Sequence, residues 1–161
     1  MSWLGAALVV LGSYLCGISL SRDESDKLKI IESLADFMAY IKRRMSIELI
    51  PLTRIFAEYD GSSDRLDAFL SIIRGQKHTP SFAWQRAVET LCVDESTKKE
   101  LLRFGESLGR LSLDEQIKRL DTVYLFLIEK RKELADSLPA RKKSIKAVCT
   151  LIGMITAIIL L

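Results

Sequence analysis

The sequence predicts an all-α protein, a bundle of about six helices flanked by an apolar transmembrane helix on either side. Three observations carry this. Apolar residues recur at steps of three and four through the middle of the chain, no stretch alternates as a strand would, and the charges are segregated. All 24 Lys and Arg and all 21 Asp and Glu fall between Arg22 and Lys146, so residues 1–21 and 147–161 carry none. The implied organisation is a transmembrane helix over 1–21, a helical domain over 22–140, and a basic collar with a second transmembrane helix over 141–161.

Residues 1–21, if helical, cover about 31 Å against a hydrocarbon core of about 30 Å. A cleaved signal would need a basic leader and a small-x-small site. The residues before Cys16, Tyr14 and Leu15, are too large for lipid attachment. An uncleaved anchor is therefore expected, with Trp3 near the outer interface. The final segment starts with Arg141, Lys142, Lys143 and Lys146 and continues uncharged to Leu161. That run covers roughly 22 Å, which a snorkelling Lys146 and local thinning extend. A buried C-terminal helix is the competing reading, and the similar apolar run over 1–21 argues for a span. Ser13 with Gly17, and Gly153 with Ala157, offer small faces through which two spans pack, although glycine is common in membrane helices anyway. The basic residues after the first span and before the second place the middle in the cytoplasm.

Within the middle, Leu28, Ile31, Ala35, Met38 and Met45 mark one helical face, widened by Ile30, Leu34, Phe37 and Ile41. Pro51 interrupts this helix and suits the first turn of a short one with Leu52, Ile55, Phe56 and Tyr59. Residues 60–64 read as a turn. Leu66, Phe69, Leu70 and Ile73 then form a helix stopped by Gly75. Thr79-Pro80 opens a helix to Cys92 that presents Trp84, Ala87, Val88 and Leu91. Asp94 or Ser96 caps the next, which carries Leu101, Leu102, Phe104 and Leu108 and ends at Gly109. Ser112-Leu-Asp-Glu115 has capping-box spacing. The helix after it carries Ile117, Leu120, Tyr124, Leu127 and Leu134, with Pro139 expected to kink or end it near Leu138.

Chemistry is sparse. Cys16, Cys92 and Cys149 have no metal spacing, and a disulfide framework is excluded. His78 is the single histidine, in a predicted exposed loop. No phosphate loop, dinucleotide fingerprint or nucleophile elbow is present, so no cofactor and no small-molecule substrate are expected. Without the four basic residues of the collar the balance is 20 positive against 21 negative, a net of −1, and no basic stripe marks a nucleic-acid binder. Asp114 and Glu115 sit where a helix dipole favours acids. Gly105 and Gly109 suit close helix packing or termination. Lys42-Arg43-Arg44 is either a solvated face or a contact for a partner or lipid headgroup.

Several short motifs follow one another along the chain. Tyr40-Ile-Lys-Arg-Arg-Met45 precedes Glu48-Leu-Ile-Pro51-Leu52-Thr-Arg-Ile55-Phe56, then Phe104-Gly-Glu-Ser-Leu108-Gly109, then Asp114-Glu-Gln116, then a charged helix entering a span with Gly153. In this order they resemble the stage III sporulation protein AB family over nearly the whole chain. Ile50 departs from the threonine many members carry before the proline, which alters a cap and not a function. The resemblance implies a helical cytoplasmic domain similar to the type II secretion F platform protein. It also implies a place in the channel complex between mother cell and forespore, in the mother-cell membrane around the forespore. The partners implied are a cytoplasmic secretion-type ATPase and other membrane channel subunits, besides membrane lipid, and a homo-oligomer stays open. Lys42, Arg43, Arg44, Glu48, Glu106, Arg110, Asp114 and Gln116, polar residues in or beside these motifs, are the candidate partner-binding positions. The competing classes are a membrane-bound enzyme with an unrecognised carboxylate site and a small pore-forming subunit. The pore has only Ser13, Tyr14, Thr150 and Thr156 as polar span residues to support it.

Overall fold

A computed structural model describes residues 2–48, 52–60, 66–75 and 80–160, without the side chains of 2–10, 14, 21, 157, 159 and 160. They form α1 (Ser2–Glu48), α2 (Leu52–Glu58), α3 (Asp67–Gly75), α4 (Pro80–Glu89), α5 (Glu95–Ser107) and α6 (Leu113–Leu160), with no strand among the described residues. Pro51, the turn at 61–64, His78, Thr79 and the Trp3 side chain lie outside the described set.

Local chemistry sets most boundaries. Pro80 opens α4, where its missing N–H costs nothing. That helix closes earlier than expected, at Glu89, because Thr90 N–H and Leu91 N–H turn back to Ala87 O and Val88 O at 3.1 Å each. Asp94 caps α5, accepting from Thr97 N–H at 3.4 Å and from the Thr97 hydroxyl at 2.7 Å. After α5, Gly109 takes φ 76°, a left-handed conformation that favours glycine. Ser112 and Glu115 form the reciprocal box that starts α6: Ser112 N–H donates to Glu115 Oε2 at 3.2 Å, and Glu115 N–H to Ser112 Oγ at 3.4 Å.

α6 runs through Pro139, so of the two expectations there, a kink or an end, the end does not hold. A proline inside a helix removes one hydrogen bond and costs about 3 kcal/mol. Here the helix is held on both sides of it, by buried Leu134 before and by Arg141, 3.5 Å from Glu24, after. Among the described residues no helix is long and apolar enough to cross a membrane. Each apolar run includes side chains outside that set.

The chain divides into two compact units, Met1–Leu28 with Glu133–Leu161, and Lys29–Lys132. In the second, α4 packs on both α3 and α5, and α3 also on α2. Ile30, Ile31, Leu34, Ala35, Phe37, Met38, Ile41 and Met45 of α1 are all buried, as the broad apolar face predicts. Trp84 is the centre of this core. Phe69 and Phe104 meet its ring edge-on at 5.2 and 5.1 Å, and Phe37 stacks at 6.3 Å. Its Nε1–H donates to Leu101 O at 2.8 Å, so the one polar atom of the side chain is satisfied. Gly105 makes this packing feasible, because a Cβ there would lie 2.4 Å from Trp84 Cδ1.

The first unit is an antiparallel helix pair. A Cβ on Gly17 would lie 3.1 Å from Cys149 Cβ and 3.7 Å from Lys146 Cα, while Glu24 meets Arg141, so α1 advances as α6 recedes. Gly153 is buried, whereas Leu11, Leu15, Leu151, Ile152, Ile155 and Ile158 are each more than half exposed.

Candidate functional site

The eight candidate positions fall on three pieces of the bundle: Lys42, Arg43, Arg44 and Glu48 on α1, Glu106 on α5, and Arg110, Asp114 and Gln116 around the α5–α6 turn. Their neighbours separate them into residues spent on the fold and residues left to solvent.

Lys42 is half-exposed and its ammonium pairs with Asp121 of α6. Arg44 bridges Glu48 of its own helix and Glu58 of α2, with its guanidinium carbon 5.9 Å over the Tyr40 ring. Its Nε is enclosed with no acceptor among the described residues. Arg54 Nε–H also donates to Glu58, at 2.8 Å. That hydrogen bond holds the Glu58 carboxyl below its ordinary range against partial desolvation, and Arg44 adds to it. Arg44 and Glu48 therefore belong to a network fastening α2 to α1. Arg43, between two engaged cations, is exposed. With Asp36, Ala39 and Tyr40 it lines an open hollow of about 250 Å³.

Glu106 belongs to the larger feature, a shallow hollow of about 500 Å³ along the outer face of α5, lined also by Glu95, Lys98, Lys99, Leu102 and Arg103. These positions recur every three or four residues, opposite the buried Leu101, Phe104 and Leu108. Lys98, Lys99 and Arg103 were not singled out from sequence. Their spacing against that apolar face was the signal that could have found them. Arg110 and Asp114 are exposed, and Gln116 donates from Nε2 to Leu111 O at 3.3 Å, so it trims the turn. Exposed Leu111 and Leu113 lie in the same turn region.

The described surface therefore offers helix faces carrying both signs of charge. Among the described residues no group of three or more His, Cys, Asp or Glu is placed to hold a metal. No curated protein and no solved structure matches the chain. A family model described as stage III sporulation protein AB matches residues 2–161.

Proposed function

The chain belongs to the stage III sporulation protein AB family, and from that premise we propose that it is a non-enzymatic membrane platform, docking a cytoplasmic secretion-type ATPase within the channel complex between mother cell and forespore. The observation that carries the reading is continuity. The helices bearing the uncharged runs, α1 and α6, are the same helices that supply Ile31–Met45 and Leu120–Leu127 to the bundle core. A domain tied at both ends to apolar helices is restricted in orientation, which a docking platform needs and a diffusing enzyme does not. The exposed apolar residues of the helix pair favour a lipid environment, since water-facing proteins rarely leave so much apolar surface uncovered. On this reading the helix pair lies in the mother-cell membrane and the bundle faces the cytoplasm. The outer face of α5 and the α5–α6 turn are the docking surface.

The test is binding of the full chain, held in detergent or nanodiscs, to the secretion-type ATPase of the same organism, with ATP hydrolysis followed in parallel. Micromolar affinity that falls at least tenfold with Glu106→Lys or Asp114→Lys supports the platform and its face. A helical, folded chain that shows no binding rejects the ATPase as its partner.

A further inference from the structure

The contacts of the helix pair fix the level of each basic residue along it. Gly17 lies against Lys146 and Cys149, and Glu24 is level with Arg141. Lys142 and Lys143 fall between these two levels, at about the height of Arg22. Lys146 is level with Gly17, five residues and about 7 Å deeper into the apolar run than Arg22. The acids of this region, Asp23, Glu24 and Asp26, all follow Arg22, on the side away from the apolar run. Glu24 is already engaged, by Lys27 at 2.7 Å and Arg141 at 3.5 Å, and the Lys27 hydrogen bond holds its carboxyl below the usual range.

The cations nearest the apolar run are in a different situation. Arg22, Lys142, Lys143 and Lys146 have no acidic partner among the described residues. Arg22, Lys143 and Lys146 are exposed and Lys142 is half-buried. Directly beside them the surface turns apolar, with Leu20 and Val148 about half exposed. This layer offers positive charge on one edge and hydrocarbon on the other. Inorganic phosphate satisfies only the first, whereas an anionic phospholipid satisfies both.

We infer that Lys142, Lys143 and Lys146 form a binding site for the phosphate headgroup of an anionic membrane lipid, whose acyl chains lie along the apolar run that follows Lys146. Lys146 reaches back from its deeper level to the headgroup while its stem stays among the chains. The inference rests on the membrane reading proposed above.

The experiment reconstitutes the full chain into vesicles of equal phosphatidylglycerol and phosphatidylcholine, extracts it gently, and counts the lipid that stays bound. Phosphatidylglycerol should be enriched, with each cation contributing up to about fivefold. The triple change Lys142→Gln, Lys143→Gln and Lys146→Gln should bring the two lipids close to parity, and the corresponding arginine triple should keep the enrichment. The glutamine triple removes the charge and the arginine triple keeps it, and circular dichroism verifies that helicity is retained in both. Excess inorganic phosphate should leave the bound lipid in place. Equal retention of both lipids by an inserted chain overturns the inference and leaves the membrane reading standing. Full displacement by inorganic phosphate also overturns it, identifying an ion site instead. A chain that enters no vesicle overturns the membrane reading and this inference together.

Discussion

The bundle and the helix pair use the same apolar residue types in opposite ways. In residues 29–132, Leu34, Ile41 and Leu101 are fully buried, and aromatic rings from four other helices gather on Trp84. In the pair, Leu15 is 63% and Ile158 73% exposed. The bundle buries a continuous apolar core and leaves single residues such as Ile47 and Leu125 exposed, whereas among the described side chains of the pair the buried ones are few, Gly17, Leu134 and Gly153. Burial of apolar area stabilises the bundle by itself, at about 25 cal/mol per Å². The pair has little such term in water and needs a different solvent for its outer faces.

The largest test of that contrast is to empty the bundle's centre. Trp84→Ala removes a fully buried ring and leaves Leu101 O without its donor, so a loss of about 4 kcal/mol is expected. Hydrogen exchange of the full chain in detergent should then accelerate across residues 29–132 and stay nearly unchanged at 15–28 and 141–156. Simultaneous acceleration in both units would mean that they do not hold their structure independently. Gly105→Ala ranks next. Its new methyl meets the Trp84 ring at 2.4 Å, for an expected cost of about 2 kcal/mol in denaturant unfolding. The same change at Gly12, with nothing within 4 Å, should be neutral or mildly stabilising because alanine is the better helix former.

A smaller effect carries a pH signature. Partial burial pushes the Asp94 carboxyl up, but hydrogen bonds from Ser96 and Thr97 outweigh this, with Lys130 3.6 Å away, and hold it below its usual range. A carboxyl depressed in the folded state contributes stability that is present above its unfolded value, near 3.9, and fades as pH falls through the folded value. Asp94→Ala should therefore cost about 1 kcal/mol at pH 7, with the gap to the unaltered chain closing toward pH 3. A gap of the same size at both pH values, measured by urea midpoints, would show that the ionised cap is not its source.

What could be read in the sequence follows the range of the interactions. The cap at Asp94, the box at Ser112 and Glu115, Pro80 at a helix start and Gly109 at a helix end all act within about one turn, and the local residues announce them. The apolar faces were legible for the same reason, since 3.6-residue periodicity records burial without naming the neighbour. Gly105 was ambiguous between packing and termination until Trp84, 21 positions earlier, was seen against it. Likewise Lys42-Arg43-Arg44 read as one basic patch. Only contacts with Asp121 and Glu58 reveal that two of its three charges are committed to internal pairs. At Pro139 local propensity allows a kink or an end, and only the hold at Leu134 and Arg141 on either side shows that the helix continues. The candidate positions came from motif proximity, which cannot tell a charge that fastens two helices from one facing solvent.

The finest comparison is between the two close-packed glycines. At Gly105 the obstacle is a ring wedged among four others, so an added methyl has nowhere to go. At Gly17 it would lie 3.1 Å from Cys149 Cβ and 3.4 Å from its sulfur, on a helix that shares no crowded core there. A shift of a few tenths of an ångström relieves that contact, and alanine's helix preference of up to about 1 kcal/mol works in the opposite direction. Gly17→Ala should therefore change exchange in the pair by less than about fivefold and leave the bundle's exchange untouched. Pairing it with Cys149→Ala removes the sulfur contact at 3.4 Å and keeps the Cβ contact at 3.1 Å, so the double variant should exchange slightly more slowly than Gly17→Ala alone. A tenfold or greater acceleration from Gly17→Ala would show instead that the pair is held as rigidly at this glycine as the bundle is at Gly105. Its cohesion would then come from close helix contact more than from the solvent around it.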